Sequence, residues 1–158
     1  MSNIALTRID DRLIHGQVMT SWVKYTKANK IVIVDDGVAN DPFMGDILKM
    51  AVPSGIDVDI YDTQKAVEML KSKEKNSNSI IILAKTPNAI YALIQGGVDI
   101  TEINVGGMGA GPGRKSLYKN ISASAQEREI FKKIVSMGKA VFMQIVPDDK
   151  RVEINRYI

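Results

Sequence analysis

The chain has 158 residues, no cysteine and a formal net charge of +3, with a pI near 9.0. Without cysteine it has no disulfides, iron–sulfur clusters or thiolate zinc sites. Its lysines and arginines are scattered along the chain, which argues against nucleic acid as a partner. No apolar run approaches the roughly 20 residues needed to cross a bilayer, so we expect no direct membrane insertion.

Short β-branched runs alternate with segments of helical spacing. The runs that we predict as strands are 4–9, 30–34, 56–61, 79–84, 101–105 and 139–146. Several are apolar throughout, which is typical of strands buried on both faces of a parallel sheet. The alternation predicts an α/β fold in which residues 1–158 form one domain, a single open, mostly parallel sheet flanked by helices on both faces.

The helical segments have recognisable ends. One helix is predicted directly after His15, and a second begins at Asp41-Pro42. The inward face of this second helix is predicted to contain Phe43, Met44, Ile47, Leu48 and Ala51. Thr63 is predicted to cap the third helix, and Ser124 with Glu127 has the spacing of a capping box for the last.

Two polar segments are predicted to lie outside these elements. KSKEKNSNS (71–79) is predicted to be a solvated surface loop, and DDKRVEINRYI (148–158) a polar tail.

A parallel sheet brings the carboxyl ends of its strands to one edge, where ligands bind near the switch in strand order. Polar residues and glycines follow each of the first five predicted strands, so we expect them to share this rim. They are Asp10, Asp11, Arg12, His15, Asp35, Asp36, Asp62, Lys85, Thr86 and the glycine-rich residues 106–109.

His15 is the only histidine in the chain and lies at a predicted helix start. A helix N-terminus has unpaired N–H groups and favours a bound anion. Arg12 could bind a phosphoryl group with its planar fork. Asp10 or Asp11 could orient the imidazole or hold Arg12, and Gly16 would let a phosphate approach the backbone. This set favours a phosphoryl-accepting histidine over a general base, and the alternative is a His15 that only caps or packs.

Three other segments permit more than one interpretation. GGMGAGPGRKS (106–116) departs from a P-loop because Arg114 replaces its second glycine. A flexible loop closing over a site, with Arg114 and Lys115 available for an anion or a partner, competes with a plain surface loop. Lys85 and Thr86 could contact phosphate, or Thr86 could be only an N-cap. Asp35-Asp36 is followed by Gly37, which favours a turn over a cation site.

The stretch RIDDRLIHGQV (8–18) resembles the IIB component of the mannose/fructose/sorbose family of the bacterial sugar phosphotransferase system. IVIVDDGVANDPF, LAKTPNAIYALIQGGV and NVGGM lie where that family has similar segments, so the resemblance covers the whole chain. It implies a cytoplasmic bacterial phosphotransferase with a mostly parallel α/β sheet and no metal or organic cofactor.

The resemblance also implies site roles and partners. By analogy His15 accepts a phosphoryl group at Nδ1 from a IIA phosphocarrier and passes it to a sugar held by the IIC/IID membrane permease. Arg12 matches an arginine that neutralises the phosphoryl group, and Asp10 matches a carboxylate of the same loop. Phosphate-supporting roles at Lys85, Thr86 and Gly107 are expected by weaker analogy. Mannose, fructose, sorbose and N-acetylgalactosamine all remain open as the sugar.

Two rival functions use the same residues differently. A receiver-type signalling domain would combine Asp10-Asp11, Asp62 and Lys85 and would require Mg²⁺. The intervening Thr86 and the early position of Lys85 do not match the sequence pattern of such domains. A nucleotide-sensing module would use residues 106–116 and depend on Lys115.

Overall fold

The computed structural model describes residues 3–72 and 78–158. The strands in these ranges are β1 (Asn3–Asp10), β2 (Lys30–Val34), β3 (Asp57–Tyr61), β4 (Ser79–Ala84), β5 (Glu102–Gly107), β6 (Arg114–Tyr118), β7 (Ile121–Ser124), β8 (Ala140–Met143) and β9 (Val152–Glu153). The helices are α1 (Gly16–Thr26), α2 (Asp36–Ala39), α3 (Pro42–Met50), α4 (Thr63–Lys71), α5 (Pro87–Gln95) and α6 (Ala125–Ser136), and a 3-10 turn covers Ile154–Arg156.

Seven of these strands form one open sheet in the order β3-β2-β4-β1-β5-β8-β9. The first six are parallel, and the short β9 pairs antiparallel with β8. β6 and β7 form a separate antiparallel hairpin. The prediction of an open, mostly parallel α/β sheet is confirmed.

Helices cover both faces of the sheet. Along β2, Ile31 and Ile33 belong to one buried core, and Val32 and Val34 belong to the other. Because successive side chains of a strand point to opposite faces, the two cores lie on opposite sides of the sheet. The first core includes side chains from α1, α2 and α3, and the second includes side chains from α4, α5 and α6. This arrangement explains why the strand sequences are apolar throughout.

The switch in strand order lies at the carboxyl ends of two central neighbours, β1 and β4. The helices that follow them, α1 and α5, pack on opposite faces. A crevice is expected where two such connections diverge. This crevice is therefore flanked by two sets of residues. One set follows β1 and extends to His15, and the other, Lys85 and Thr86, follows β4.

The second predicted helix is confirmed, but its predicted inward face is wrong at four of the five residues. Leu48 is buried, whereas Phe43 is 74% exposed and Met44, Ile47 and Ala51 are also exposed. The helix α3 approaches the sheet through Leu48 and through Gly45, where an added Cβ would lie 3.3 Å from Ile60 Cδ1. Only this narrow side of α3 meets the core, so its other apolar residues face outward.

Helix capping was predicted well at one site and wrongly at another. The capping box of Ser124 and Glu127 is present at the start of α6. The N-cap of α4 is Asp62, whose carboxylate accepts a hydrogen bond from the backbone N–H of Lys65 at 2.7 Å. Thr63 is the first residue of that helix, and its hydroxyl lies 3.0 Å from an oxygen of Asp36.

Two segments predicted as irregular contain regular secondary structure. Residues 106–116 run from the last two residues of β5 into the first three of β6, and only the stretch between them is a connection. The tail of the chain contains β9 and the 3-10 turn, in which Ile154 is fully buried. For the surface loop predicted at 71–79, residues 73–77 lie outside the described residues. None of the helices in the described ranges is long and apolar enough to cross a membrane.

Ile154→Ala should lower the free energy of unfolding by about 2–5 kcal/mol, because it empties a fully buried site in the core. Arg156→Ala, at an exposed position two residues on, should change it by no more than about 0.5 kcal/mol. Urea unfolding followed by circular dichroism measures both. Equal, small effects would show that the tail is not part of the core.

Candidate functional site

The carboxylate of Asp10 is the centre of the site. It lies at the end of β1, is fully buried and accepts hydrogen bonds from three side chains. Its partners are Arg8 Nη2 at 3.2 Å, Arg12 Nε at 3.2 Å and His15 Nε2 at 3.1 Å. Burial alone would raise the pKa of this carboxyl, but the hydrogen bonds from Arg12 and the charge of Arg8 outweigh it and the pKa is lowered. Asp10 is therefore ionised at neutral pH.

A tight turn after β1 brings these donors around Asp10. The backbone N–H of Leu13 donates to the Asp10 carbonyl at 2.9 Å, and the backbone N–H of Arg12 donates to the Asp10 side chain at 3.1 Å. Leu13 has a left-handed φ of 57° and a buried side chain, which anchors the turn in the core. The turn leaves the side chain of Arg12 about half exposed and ends at His15, the N-cap residue of α1.

The hydrogen bond to Asp10 determines which nitrogen of His15 carries the proton. An ionised carboxylate only accepts hydrogen bonds, so Nε2 must be the donor. In the neutral ring the proton then lies on Nε2, and Nδ1 keeps its lone pair. The His15 side chain is 25% exposed, so a reacting group can approach the ring from solvent.

Arg8 donates a hydrogen bond to Asp10 from inside the sheet, and it is a site residue that the sequence pattern did not reveal. Its guanidinium is fully buried and donates to Asp10, to the Asn104 side chain and to the Gln144 carbonyl, and it lies 5.4 Å from the centre of the Trp22 ring. Burial lowers the pKa of Arg8 to about 10, and the neighbouring Asp10 opposes this effect. Arg8 is therefore still charged at neutral pH. An arginine within the predicted strand 4–9 was the signal that could have indicated a role for Arg8.

Two glycines at the end of β5 make room for this cluster. A Cβ at Gly106 would overlap the guanidinium of Arg8, and a Cβ at Gly107 would lie 2.9 Å from the Asp10 carboxylate. The backbone carbonyl of Gly107 also accepts a hydrogen bond from the N–H of Asp11 at 3.0 Å. Gly107, predicted as a phosphate-supporting residue, lies against Asp10 and Arg12.

A cavity of about 420 Å³ adjoins the exposed side of Arg12. We call it the hairpin cavity, because the β6–β7 hairpin forms one of its walls. Its lining residues are Asp11, Arg12, Gly107, Met108, Gly109, Ala110, Ser116, Lys119, Asn120 and Ser122.

Residues 4–158 match the family described as "PTS system sorbose subfamily IIB component". The chain belongs to this family. It is thus a IIB phosphoryl-transfer component of a sugar phosphotransferase system, as the motif RIDDRLIHGQV indicated, and the comparisons do not specify its sugar.

Relatives and solved structures agree with this assignment. The sorbose-specific EIIB component of Klebsiella pneumoniae is 35% identical, over 96% of this chain and 92% of that protein. The mannose-specific EIIAB component of Escherichia coli K12 is 33% identical over 95% of this chain, which matches 46% of that longer protein. The crystal structure of the IIBSor domain of the K. pneumoniae sorbose permease superposes with a TM-score of 0.94 at 34% identity, covering 99% of this chain and 96% of that one.

Not every predicted rim residue joins the cluster of this IIB chain. Lys85 lies 4.0 Å from Asp35, and with Thr86 it lines a separate cavity of about 350 Å³ that includes Asp36 and Thr63. Asp62 follows β3, which lies at one edge of the sheet and is separated from β1 by β2 and β4. The receiver arrangement, in which Asp62 would meet Asp10, is therefore not assembled.

The predicted turn at Asp35-Asp36 is the start of a short helix. Asp35 caps α2 by accepting the Val38 N–H at 2.8 Å. Within residues 3–72 and 78–158, no cluster of three or more His, Asp or Glu side chains could hold a metal ion.

Arg114 was expected to be available for an anion, and this expectation is wrong. Its guanidinium makes two hydrogen bonds to Glu127, at 3.0 and 2.9 Å, and a third to the Gly109 carbonyl at 2.8 Å. It also lies 3.5 Å from Asp11. These contacts raise the pKa of Arg114, mainly through its hydrogen bonds to Glu127. Arg114 therefore ties the glycine-rich connection to α6.

Gly106→Ala should destabilise the protein by about 1–3 kcal/mol, because the new methyl group would displace the buried guanidinium of Arg8. Gly111→Ala is the matched control, since a Cβ there meets no atom within 4 Å and the backbone is not left-handed. Thermal unfolding measures both variants. A Gly106→Ala melting temperature equal to that of Gly111→Ala would contradict the packing described here.

Proposed function

We propose that His15 is the residue of this IIB chain that becomes phosphorylated, at Nδ1. In the first step the Nδ1 lone pair attacks the phosphorus of a phosphohistidine on the IIA phosphocarrier. The new N–P bond forms as the donor's N–P bond breaks, and the donor imidazole recovers its electron pair. In the second step a hydroxyl oxygen of the sugar held by the IIC/IID permease forms a bond to the phosphorus as the His15 N–P bond breaks. The His15 imidazole recovers its electron pair, and the hydroxyl proton passes to solvent.

The hydrogen bond from His15 Nε2 to Asp10 is the observation that carries this proposal. It leaves Nδ1 as the nucleophilic atom of the neutral ring. When Nδ1 becomes phosphorylated the ring gains positive charge, and the buried carboxylate of Asp10 lies next to the Nε2 proton to stabilise it. Asp10 thus acts as a positioning residue in the proposal and does not react.

Arg12 and the start of α1 supply the phosphoryl contacts in this proposal. Arg12 uses Nε and Nη2 toward Asp10, and its remaining N–H groups are on a half-exposed side chain. Gly16 opens α1 with a left-handed φ of 38°, and a Cβ there would have open space around it. The first N–H groups of a helix have no partner within the helix, so they favour the phosphoryl charge.

The proposal keeps Lys85 and Thr86 as further phosphate-supporting residues. They follow β4, whose last residue, Ala84, pairs with Ile9 of β1 next to Asp10. Thr86 caps α5 without using its hydroxyl for the cap, so that hydroxyl could donate to a phosphoryl oxygen. Nearness to the crevice supports these two roles.

The same proposal includes two partners, the IIA phosphocarrier and the IIC/IID permease. It also places the chain in the cytoplasm, at the membrane that contains the permease. The family of the chain supports them, as does the IIA–IIB fusion named in the mannose-specific relative. The reaction as written needs no metal or organic cofactor. The relatives are named for sorbose and for mannose, so the sugar is proposed only as a hexose or a hexose derivative.

Phosphorylation by phosphoenolpyruvate, the general phosphotransferase proteins and a cognate IIA tests the proposal. Wild-type protein should acquire one acid-labile, base-stable phosphate, and His15→Ala should acquire none. Because the chain has no other histidine, the label has only one imidazole to occupy.

Asp62→Asn is the matched control, since it removes the carboxylate that a receiver domain would use. It should be labelled as fast as wild type. Equal labelling of His15→Ala, or loss of label in Asp62→Asn, would refute the assignment to His15.

A further inference from the structure

The hairpin cavity has two sides of different origin. One wall is formed by the end of β5 and by the turn after β1, residues 11–15, which we call the active turn. This wall includes Asp11, Arg12 and Gly107. The other is the β6–β7 hairpin, including Ser116, Lys119 and Ser122. The phosphoryl acceptance proposed above uses Arg12 and leaves the hairpin wall without a role.

Lys119 is the cation of the hairpin wall. It occupies the turn between β6 and β7 with a left-handed φ of 45°, an uncommon conformation for a residue other than glycine. Its Nζ lies 5.4 Å from the centre of the Tyr118 ring, and that ring packs edge-on against Tyr157 at 5.6 Å. Among the ion pairs of residues 3–72 and 78–158, none includes Lys119.

The charges facing the cavity favour an anion. Asp11 is the carboxylate of the lining, and it is already engaged by the Gly109 N–H at 2.7 Å and by Arg114 at 3.5 Å. Arg12 and Lys119 remain as cations on the two walls.

The neutral polar residues of the lining are Ser116, Ser122 and Asn120, which have hydroxyl and amide groups. The cations can form charge-assisted hydrogen bonds with a phosphate group. The hydroxyl and amide groups can form hydrogen bonds with a polyhydroxylated molecule attached to that phosphate. A volume of about 420 Å³ accommodates more than phosphate alone.

We propose that the hairpin cavity binds the phosphate monoester of a sugar, with Lys119 and Arg12 holding the phosphate and the hairpin's serine and asparagine side chains contacting the sugar. This inference rests on the proposed function, because a sugar phosphate is the product of that reaction. Occupation of the cavity by the product would place an anion beside Arg12 and would oppose rephosphorylation of His15.

Binding of mannose 6-phosphate to the full chain tests the site, at fixed ionic strength and without sulfate. Backbone amide NMR signals of the hairpin and of the active turn report the binding. The His15→Ala protein is included because the site does not require His15. Binding to His15→Ala therefore tests the cavity even if phosphorylation at His15 proves wrong.

We expect wild type and His15→Ala to bind alike and Lys119→Gln to bind about tenfold more weakly, the loss expected for one charge-assisted contact. Lys115→Gln is the matched control, since Lys115 is an exposed lysine of the same hairpin that does not line the cavity. It should bind as wild type does.

Four results would overturn the inference. The first is the absence of signal shifts in the hairpin, and the second is an unchanged affinity of Lys119→Gln. The third is an equal loss in Lys115→Gln, which would indicate a general charge effect. The fourth is binding of inorganic phosphate as tight as that of the sugar phosphate, which would reduce the cavity to a simple anion site.

Discussion

The interaction on which the site depends is the buried ion pair of Arg8 and Asp10. Removing a carboxylate from water is costly unless charge and hydrogen bonds replace the lost hydration. Arg8 supplies the charge from inside the sheet, and Arg12 and His15 supply hydrogen bonds from the rim. Asp10 thereby stays ionised in a fully buried position, and an ionised Asp10 can only accept a hydrogen bond from His15.

Several features of the fold follow from accommodating this pair. β1 and β5 are central neighbours in the sheet, so Arg8 and Asp10 of β1 lie against Gly106 and Gly107 of β5, where side chains would not fit. The Arg8 guanidinium also donates to the Asn104 side chain, in β5, and to the backbone carbonyl of Gln144, the residue after β8. The switch in strand order then gives the exposed donors, Arg12 and His15, access to solvent. Stability and the proposed chemistry depend here on the same few residues.

The sequence predicted those features of the structure that depend on a local pattern of residues. The bounds of β2 and β4 are as predicted because both are short, apolar runs with clear ends. The pattern around His15 predicted that Asp10, Arg12 and His15 lie close together, because polar residues that directly follow a buried parallel strand collect at the rim of the sheet. The periodicity of α3 was also detected, but periodicity does not say which side of a helix the sheet will cover.

The features that the sequence did not predict depend on contacts between separate elements of the chain. Arg8 is 96 residues from Asn104, its partner across the sheet, so its place in a strand did not show which groups it would contact. Arg114 lies in a glycine-rich stretch that suggests mobility, yet Glu127 of the next helix holds it in place. The hairpin that follows is largely polar, so its strands lack the apolar signal that revealed the others.

The central claim is that Asp10 fixes the proton of His15 on Nε2 and so selects Nδ1 for phosphorylation. Long-range ¹H–¹⁵N correlation NMR of the imidazole tests it directly, since the one histidine of the chain gives one set of ring signals. The neutral ring should carry its proton on Nε2, and phosphorylation should place the phosphorus on Nδ1. A proton on Nδ1 in the free protein, or a phosphoryl group on Nε2, would contradict the account.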